Sequence, residues 1–460
     1  MESLYAALPI FAQNWVCGIA GRRRLRARRT PHFHRTLEAW EQSIDGPLDA
    51  LRALQAERLR ALVSRARTWS PYWASLPPPA MISDPEEAIA RILSSIPPLD
   101  KETYRANARA IRARDIPAFR LVSSKTSGTT GTALAFHQTR ECLAEWYAVA
   151  WRQRRRAGAR LDDPYLTFGG QLIVPLGQAS PPFWRHNRPG RQTLFSNYHL
   201  APENLPAYVD AIHATPARYV QGYPSALTVV ANALLDAARP LPAGRLAAIF
   251  TSSETLLAAQ RRAIEAAFGA PVQDYYSSAE MAVAMTSCSA GRWHVDLEFC
   301  VVEVEVQERG PGFERGPLLV TGLATDATPL LRYRIGDVGT RATTECPCGR
   351  PGDAFLEIDG RIEDYLVTPD GRRIGRLDHV FKDDVEVAEA QILQDTADAM
   401  TLRFVPRPGF DAEAERRLVA ALRVRVGHAI RIQLERVGSL PREPNGKLRA
   451  VKSRVGALRR

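Results

Sequence analysis

Apolar residues recur at intervals of three and four through 48–68 and 85–94, the period of a helix that buries one face. Prolines at 71, 77, 78 and 79 punctuate the pattern, and residues 1–115 read as mostly helical. From Leu121 the pattern changes. Short apolar runs at 165–168, 218–221 and 246–251 alternate with helical periods at 223–238 and 256–268, which predicts strands layered against helices. Between 293 and 320 the chain turns strand-rich, with Val301, Val302, Val304 and Val306, then Leu318, Leu319 and Val320. After a break near 360–364, strand periods at 400–405 and 430–437 flank a helical period at 412–427, as in a small α+β domain. The expectation is an α/β protein. Residues 1–115 would form the helical part of a large domain, 116–361 its binding part, and 362–460 a small C-terminal domain.

Composition narrows the class. The chain has 460 residues, 45% hydrophobic and 24% charged, an ordinary balance for a soluble globular protein. It lacks a run of about 18 apolar residues, so no spanning helix is expected. The apolar stretch 8–20 is interrupted by Gln13 and Asn14, and its basic block at 22–29 follows it, the reverse of a signal peptide; a cytoplasmic location is expected. The net charge of +11 suggests nucleic acid until its origin is inspected. Of 61 basic residues only Lys101, Lys125, Lys382, Lys447 and Lys452 are lysine, and the arginines are spread along the chain. That distribution argues against a nucleic-acid groove. The runs at 22–29 and 152–156 read as solvated helix faces, or as docking sites for an acidic partner or a membrane surface. In so lysine-poor a chain, a lysine inside a motif points to a need for a compact ammonium.

The most distinctive local signal is Thr126-Ser127-Gly128-Thr129-Thr130-Gly131. Its glycines permit a tight turn, and its hydroxyls and successive N–H groups can wrap phosphate oxygens; the plain alternative is a flexible turn. It lacks the Gly-Lys-Ser/Thr ending of a Walker loop. Four further segments follow in order: Tyr276-Ser277-Ser278-Ala279-Glu280, Tyr333-Arg334-Ile335-Gly336-Asp337, Gly360-Arg361-Ile362-Glu363-Asp364, and Pro441-Arg442-Glu443-Pro444-Asn445-Gly446-Lys447. Together these segments resemble the motifs of the adenylate-forming superfamily of acyl-CoA synthetases and adenylation domains. The resemblance covers essentially the whole chain and is closest to phenylacetate–CoA ligase and the related capsule-biosynthesis ligases. It implies a large adenylate-forming domain followed by a small mobile one.

The resemblance also implies roles. An enzyme of this kind joins a carboxylate to the α-phosphate of ATP, releases pyrophosphate, and passes the acyl group to an acceptor. Two anionic groups must be brought together and the leaving group's charge stabilised. Thr126, Ser127, Gly128, Thr129, Thr130 and Gly131 would hold the phosphates, and Glu280 a Mg²⁺ bridging their oxygens. Tyr276 would stack on adenine beside Ser277, Asp337 would accept the ribose hydroxyls, and Arg361 would reach ribose or phosphate. Ser253 and Glu254, in Thr251-Ser252-Ser253-Glu254, would line the nucleotide site. Lys447 would bridge the carboxylate and the α-phosphate, and Glu363 stands where the family usually has a hinge aspartate. The residues after the glycine-rich turn are Thr132-Ala133-Leu134 in place of the common Pro-Lys, and Ser277 replaces a glycine. Both departures point to the capsule-type branch.

A second constellation concerns metal. Cys346-Pro347-Cys348-Gly349 forms a tight two-sulfur knuckle, and Cys288 and His294 lie upstream. The set Cys288, His294, Cys346 and Cys348 matches a closed structural zinc site; the alternatives are unrelated residues or a redox pair at Cys346 and Cys348. Cys17, Cys142 and Cys300 read as ordinary cysteines. His137, His186, His199 and His213, and the turn Gly222-Tyr223-Pro224-Ser225, are candidates to line an acyl pocket. The expected partners are a small carboxylic acid and an acceptor: CoA, an amine, a sugar or a carrier thiol. No nucleic acid is expected, and the chain would act as a monomer or homodimer. A non-catalytic nucleotide-binding scaffold is the competing class.

Overall fold

Helix starts in the first part of the chain follow from local capping chemistry. Helices Pro31–Ser43 and Pro85–Ser94 begin at a proline behind Thr30 and Asp84, whose side chains accept from the Phe33 and Glu87 backbone N–H groups. Asp100 caps Lys101–Ile111 in the same way, accepting from Thr103 N. The long helical period is realised as Leu48–Trp69. This computed structural model describes residues 2–125, 134–361, 366–369, 373–374, 387–407, 409–427, 429–443 and 448–455. The chain divides into two units, each assembled from separated stretches. One comprises 1–22, 158–272 and 360–460, the other 23–157 and 273–359.

In the second unit, strands run in the order Cys300–Val304, Phe313–Gly322, Tyr333–Ala342, Ala354–Arg361, Trp293–Val295, Ala284–Ser287 and Val272–Ser277. Among the pairs on this path, the first two strands and the last two run antiparallel. The strand-rich period read between 293 and 320 is part of this sheet. Helix Arg140–Arg156 contributes Arg152, which is fully buried yet donates to Asp296 and Glu298, both nearly inaccessible. Removed from water, that guanidinium is tolerable only because both carboxylates and the Trp40 carbonyl receive its N–H groups.

Strands Leu121–Lys125 and Ala135–Thr139 form an antiparallel hairpin in this unit, with Lys125 opposite Ala135. The connection carries Thr126–Gly131, which lie outside the described residues. The hairpin root is held by aromatic packing. Phe136 stacks on Tyr104 at 4.4 Å between ring centroids and meets Tyr333 edge-on at 6.1 Å. The Tyr104 hydroxyl donates to the Ala135 carbonyl at 2.8 Å, and burial pushes its pKa well above the usual phenol range.

In the first unit, strands Ala248–Ser252, Tyr219–Gly222, Tyr165–Gly169 and Gln192–Ser196 are parallel neighbours, with Trp184–Asn187 antiparallel at the edge. The helical periods become Pro224–Asp236 and Ala258–Phe268. Their core joins Phe168, Phe195, Tyr208, Val220, Leu227, Ile249 and Phe268. Parallel strands buried this way read as continuous apolar runs, which is why they were legible in the sequence.

The small α+β domain expected near the end is present. Four strands, in the order Arg431–Arg436, Ala399–Pro406, Val387–Thr396 and Val451–Ser453, accompany helix Ala412–Val426. Asp411 caps that helix, accepting from the Glu413 and Ala414 N–H groups. Leu418, Leu422 and Val426 pack with Ile392, Leu402 and Phe404.

Candidate active site and metal centre

Three of the sequence-predicted nucleotide residues gather around one strand, Tyr333–Ala342. Tyr276, near the end of Val272–Ser277, donates its hydroxyl to Asp337 Oδ2 at 2.6 Å. Tyr333, at the other end of the same motif, donates to Glu280 Oε1 at 3.4 Å. Glu280 is 5% exposed, a deeply set carboxylate within reach of a hard cation's preferred chemistry. Since Tyr333 also touches Phe136, the root of the hydroxyl-rich hairpin, Glu280 and the Asp337 strand form one contiguous group. Met281 (φ +57°) and Arg332 (φ +44°) sit beside these motifs in the left-handed region, a strain that folds retain where surrounding contacts impose it. Sequence reasoning assigned no role to Lys101. The structure sets its ammonium against Gly336, where an added Cβ would fall 2.6 Å from Nζ. The scarcity of lysine was the available signal.

In the first unit, the carboxyl ends of the parallel strands bear Gly169, Ser196, Gly222 and Ser252, the end at which open α/β sheets bind ligands. Ser253 follows with φ +74°. Glu254 is held by two backbone donors, Ser225 N on Oε2 and Leu448 N on Oε1, each at 3.0 Å. The predicted nucleotide-lining glutamate thus grips the residue that follows Lys447. Arg442 of the same C-terminal motif donates to Ser225 Oγ at 3.0 Å and pairs with Glu389, both partners 7% exposed. Burial raises the Glu389 pKa against the pull of Arg442. Lys447, Glu363 and the Arg361 side chain lie outside the described residues. Sequence reasoning reads Ser225 only as part of the candidate pocket-lining turn 222–225 and does not single out Glu389 or Leu448, because these contacts join distant segments.

Nearby, a cleft of about 320 Å³ is lined by Thr167, Gln171, Ile173, Leu194, Phe195 and Tyr223. The Thr167 hydroxyl accepts from Gln192 and Gln221, and Tyr198 donates to the Gly170 carbonyl at 3.0 Å. His199 does not face solvent; it is 6% exposed, bonds Ser196 through Nδ1 and stacks on Phe183. Burial lowers its pKa below the usual imidazole value.

The cysteine–histidine set converges. The ligand atoms of Cys288, His294, Cys346 and Cys348 all lie within 4.8 Å of one another. Cys288 and Cys346 sulfurs are 3.7 Å apart, and Cys348 Sγ is 3.3 Å from His294 Nε2. Sulfurs bound tetrahedrally at the usual zinc distance stand about 3.8 Å apart, far from the about 2.05 Å of a disulfide. Two matching turns aim the sulfurs inward: Gly291 N donates to the Cys288 carbonyl and Gly349 N to that of Cys346. Both glycines have φ near the left-handed region, +75° and +77°.

Burial, then Arg350, pushes His294 down to about 4, so its imidazole is neutral and ready to ligate at neutral pH. Burial resists ionisation of Cys288, but the backbone N–H groups of Arg292 and Ala290 outweigh it and lower that thiol. Burial and its sulfur neighbours push Cys348 up to about 11. Three crowded sulfurs cannot all ionise unless a cation shares the space, so the donor set fits a divalent thiophilic metal.

A 2-hydroxyisobutyryl-CoA ligase in its postadenylation state with R3-HIB-AMP superposes with a TM-score of 0.63 at 22% identity, covering 88% of this chain and 90% of that one. The fold is that of the adenylate-forming ligases. An anthranilate CoA ligase, AuaEII, in complex with anthranoyl-AMP aligns with this adenylate-forming fold at a TM-score of 0.50 and 14% identity, covering 79% and 75% of the two chains. By sequence, Protein CapK of Staphylococcus aureus is 27% identical over 459 residues, 98% of each chain. Residues 366–454 match the CapK C-terminal domain family.

Proposed function

We propose that the protein activates a carboxylic acid as an acyl-AMP, releasing pyrophosphate, and transfers the acyl group to an acceptor. The observation that carries this reading is the grouping of the hairpin root, Glu280 and Asp337 around strand Tyr333–Ala342. In that arrangement Thr126–Gly131 would hold the phosphates, with Thr130 donating to them, while Glu280 carries Mg²⁺. Tyr276 and Ser277 would line the adenine, Asp337 would hold the ribose, Arg361 would reach ribose or phosphate, and Ser253 and Glu254 would border the nucleotide. Lys447 would bring the attacking carboxylate and the α-phosphate together, offsetting their mutual repulsion. Zinc at Cys288, His294, Cys346 and Cys348 would have all four positions filled by protein, and would brace the sheet without taking part in chemistry.

The aliphatic and aromatic walls of the cleft at Tyr223 favour an apolar or aromatic acid. For the acceptor, CoA is the first reading, supported by the fold shared with two CoA ligases. An amide- or ester-forming transfer to an amine or sugar is the second, favoured by the full-length similarity to Protein CapK and by the CapK C-terminal domain. Pyrophosphate release measured against a panel of carboxylic acids, with CoA, amines or amino sugars as acceptors, separates the two. Absence of acid-dependent ATP–pyrophosphate exchange across the panel would count against the adenylation step itself.

Asp337 supplies a narrower test. Asp337→Asn keeps an acceptor oxygen for the Tyr276 hydroxyl but removes the charge that a ribose would meet. Hydrogen bonds to a charged group contribute about 1.5–3 kcal/mol, so the KM for ATP should rise about ten- to a hundredfold, with a smaller change in kcat. An unchanged KM for ATP would remove Asp337 from the nucleotide site.

A further inference from the structure

Helix Ile10–Arg28 carries two opposed faces. Gln13, Cys17 and Gly21 are buried. On the other side stand Phe11, Trp15, Ile19, Arg22 and Arg26, which at 3.6 residues per turn fall within an arc of about 80°. This face is open: Phe11 is 77% exposed and Trp15 73%. Leu4, on the preceding helix Glu2–Ala6, is 74% exposed. An isolated exposed leucine needs no explanation, but two aromatic rings and several aliphatic residues along one helix form a patch that a water-facing surface does not favour. Directly after the apolar half come Arg22, Arg23 and Arg26, all exposed. Arg28 and Arg29 are engaged elsewhere, over the rings of Tyr147 and Trp151. Between Glu2 and Glu38 the sequence contains no acidic residue.

We propose that this face docks the protein peripherally on an anionic phospholipid surface. Phe11, Trp15 and Ile19 would enter the boundary between headgroups and acyl chains, while Arg22, Arg23 and Arg26 meet the lipid phosphates. Along this one face the apolar residues lead and the arginines follow, so a helix inclined into the boundary can sink its N-terminal half while its arginines stay at the level of the phosphates. Tryptophan is at home there because its ring is apolar and its N–H can stay hydrated. Arginine binds phosphate oxygens in paired hydrogen bonds, and an anionic leaflet attracts each such charge. Charge favours a lipid occupant: a second copy packed through the same face would add further arginines, and this segment brings no acidic residue between Glu2 and Glu38 to meet them. Docking of this type needs no spanning segment, and no helix among the described residues is long and apolar enough to cross a membrane. The proposal is independent of the acyl-adenylate chemistry.

The test is cosedimentation of the full chain with vesicles of phosphatidylcholine alone or containing about 30 mol% phosphatidylglycerol, at about 0.1 M salt. Partitioning should be at least about tenfold stronger on the anionic vesicles and should weaken as salt rises. Phe11→Ser/Trp15→Ser should lower it about tenfold or more, as should Arg22→Gln/Arg23→Gln/Arg26→Gln, each with an unchanged melting temperature and unchanged pyrophosphate exchange. Equal, weak partitioning of the unmodified chain on both vesicles overturns the proposal, and so does unchanged binding of the two variants. A concentration-dependent dimer that Phe11→Ser/Trp15→Ser dissolves, without vesicle binding, would assign the face to a second copy and overturn it too.

Discussion

Lys447→Ala is expected to lower acid-dependent ATP–pyrophosphate exchange by about a thousandfold or more while ATP binding and the melting temperature stay close to those of the unmodified protein. The magnitude follows from what the ammonium would do. A carboxylate attacking a phosphate meets repulsion that grows as the atoms approach, and a cation placed between them acts most strongly at closest approach. Removing a preorganised group that stabilises the transition state costs about a hundred- to a thousandfold, and losing its positioning effect adds to that. Lys447→Arg should also fail, because a planar, forked guanidinium does not fill the place of a compact ammonium. The chain uses arginine almost everywhere else, so this second substitution tests why lysine stands here. Measurement of exchange with the preferred acid, alongside equilibrium ATP binding, separates lost chemistry from lost affinity. Full exchange in Lys447→Ala would withdraw the role assigned to it.

The candidate metal site carries the second large effect. Protein purified without chelator should hold about one equivalent of zinc, and Cys346→Ser/Cys348→Ser should reduce this to below about 0.2. The physical ground is the crowding of three sulfurs and an imidazole within 4.8 Å, with His294 fully buried. Without a cation, that space contains polar groups that repel or go unsatisfied. The turns at 288–291 and 346–349 would then lose the tie between strand Trp293–Val295 and the segment following Tyr333–Ala342. Arg350 links the site to the buried ionic group: its N–H lies 3.4 Å from Cys348 Sγ and its guanidinium donates to Asp296 and Thr286. Loss of the metal should therefore destabilise the packing around Arg152 as well. A loss of about 3 kcal/mol would lower the melting temperature by about 6–12 °C in a unit of this size. Metal analysis and thermal melts of both proteins test this; no zinc in the unmodified protein, or an unaltered melt in the variant, would reject a structural metal.

The sequence by itself determined the elements and the motif order. Helices Leu48–Trp69 and Pro85–Ser94, the parallel strands Tyr165–Gly169, Tyr219–Gly222 and Ala248–Ser252, and the helix Ala412–Val426 all fall where the apolar period places them. The reason is that burial of one face, or of both faces in a parallel sheet, imposes a local repeat that survives in one dimension. The candidate metal set was legible for a different reason: thiol and imidazole are rare side chains with a narrow range of uses, so Cys-x-Cys-Gly signals its own turn. Other contacts were decided only by the tertiary structure. That Glu254 accepts from both Ser225 and Leu448, that Tyr276 donates to Asp337 rather than standing alone, that Lys101 lies against Gly336, and that Arg152 is sealed between two carboxylates all join residues far apart in the chain. Each unit is built from separated stretches, so the neighbours of such a group are set by topology. Hydrogen bonds and ion pairs act over a few ångströms in space and leave no period along the chain, whereas hydrophobic burial acts on every turn of every element and does.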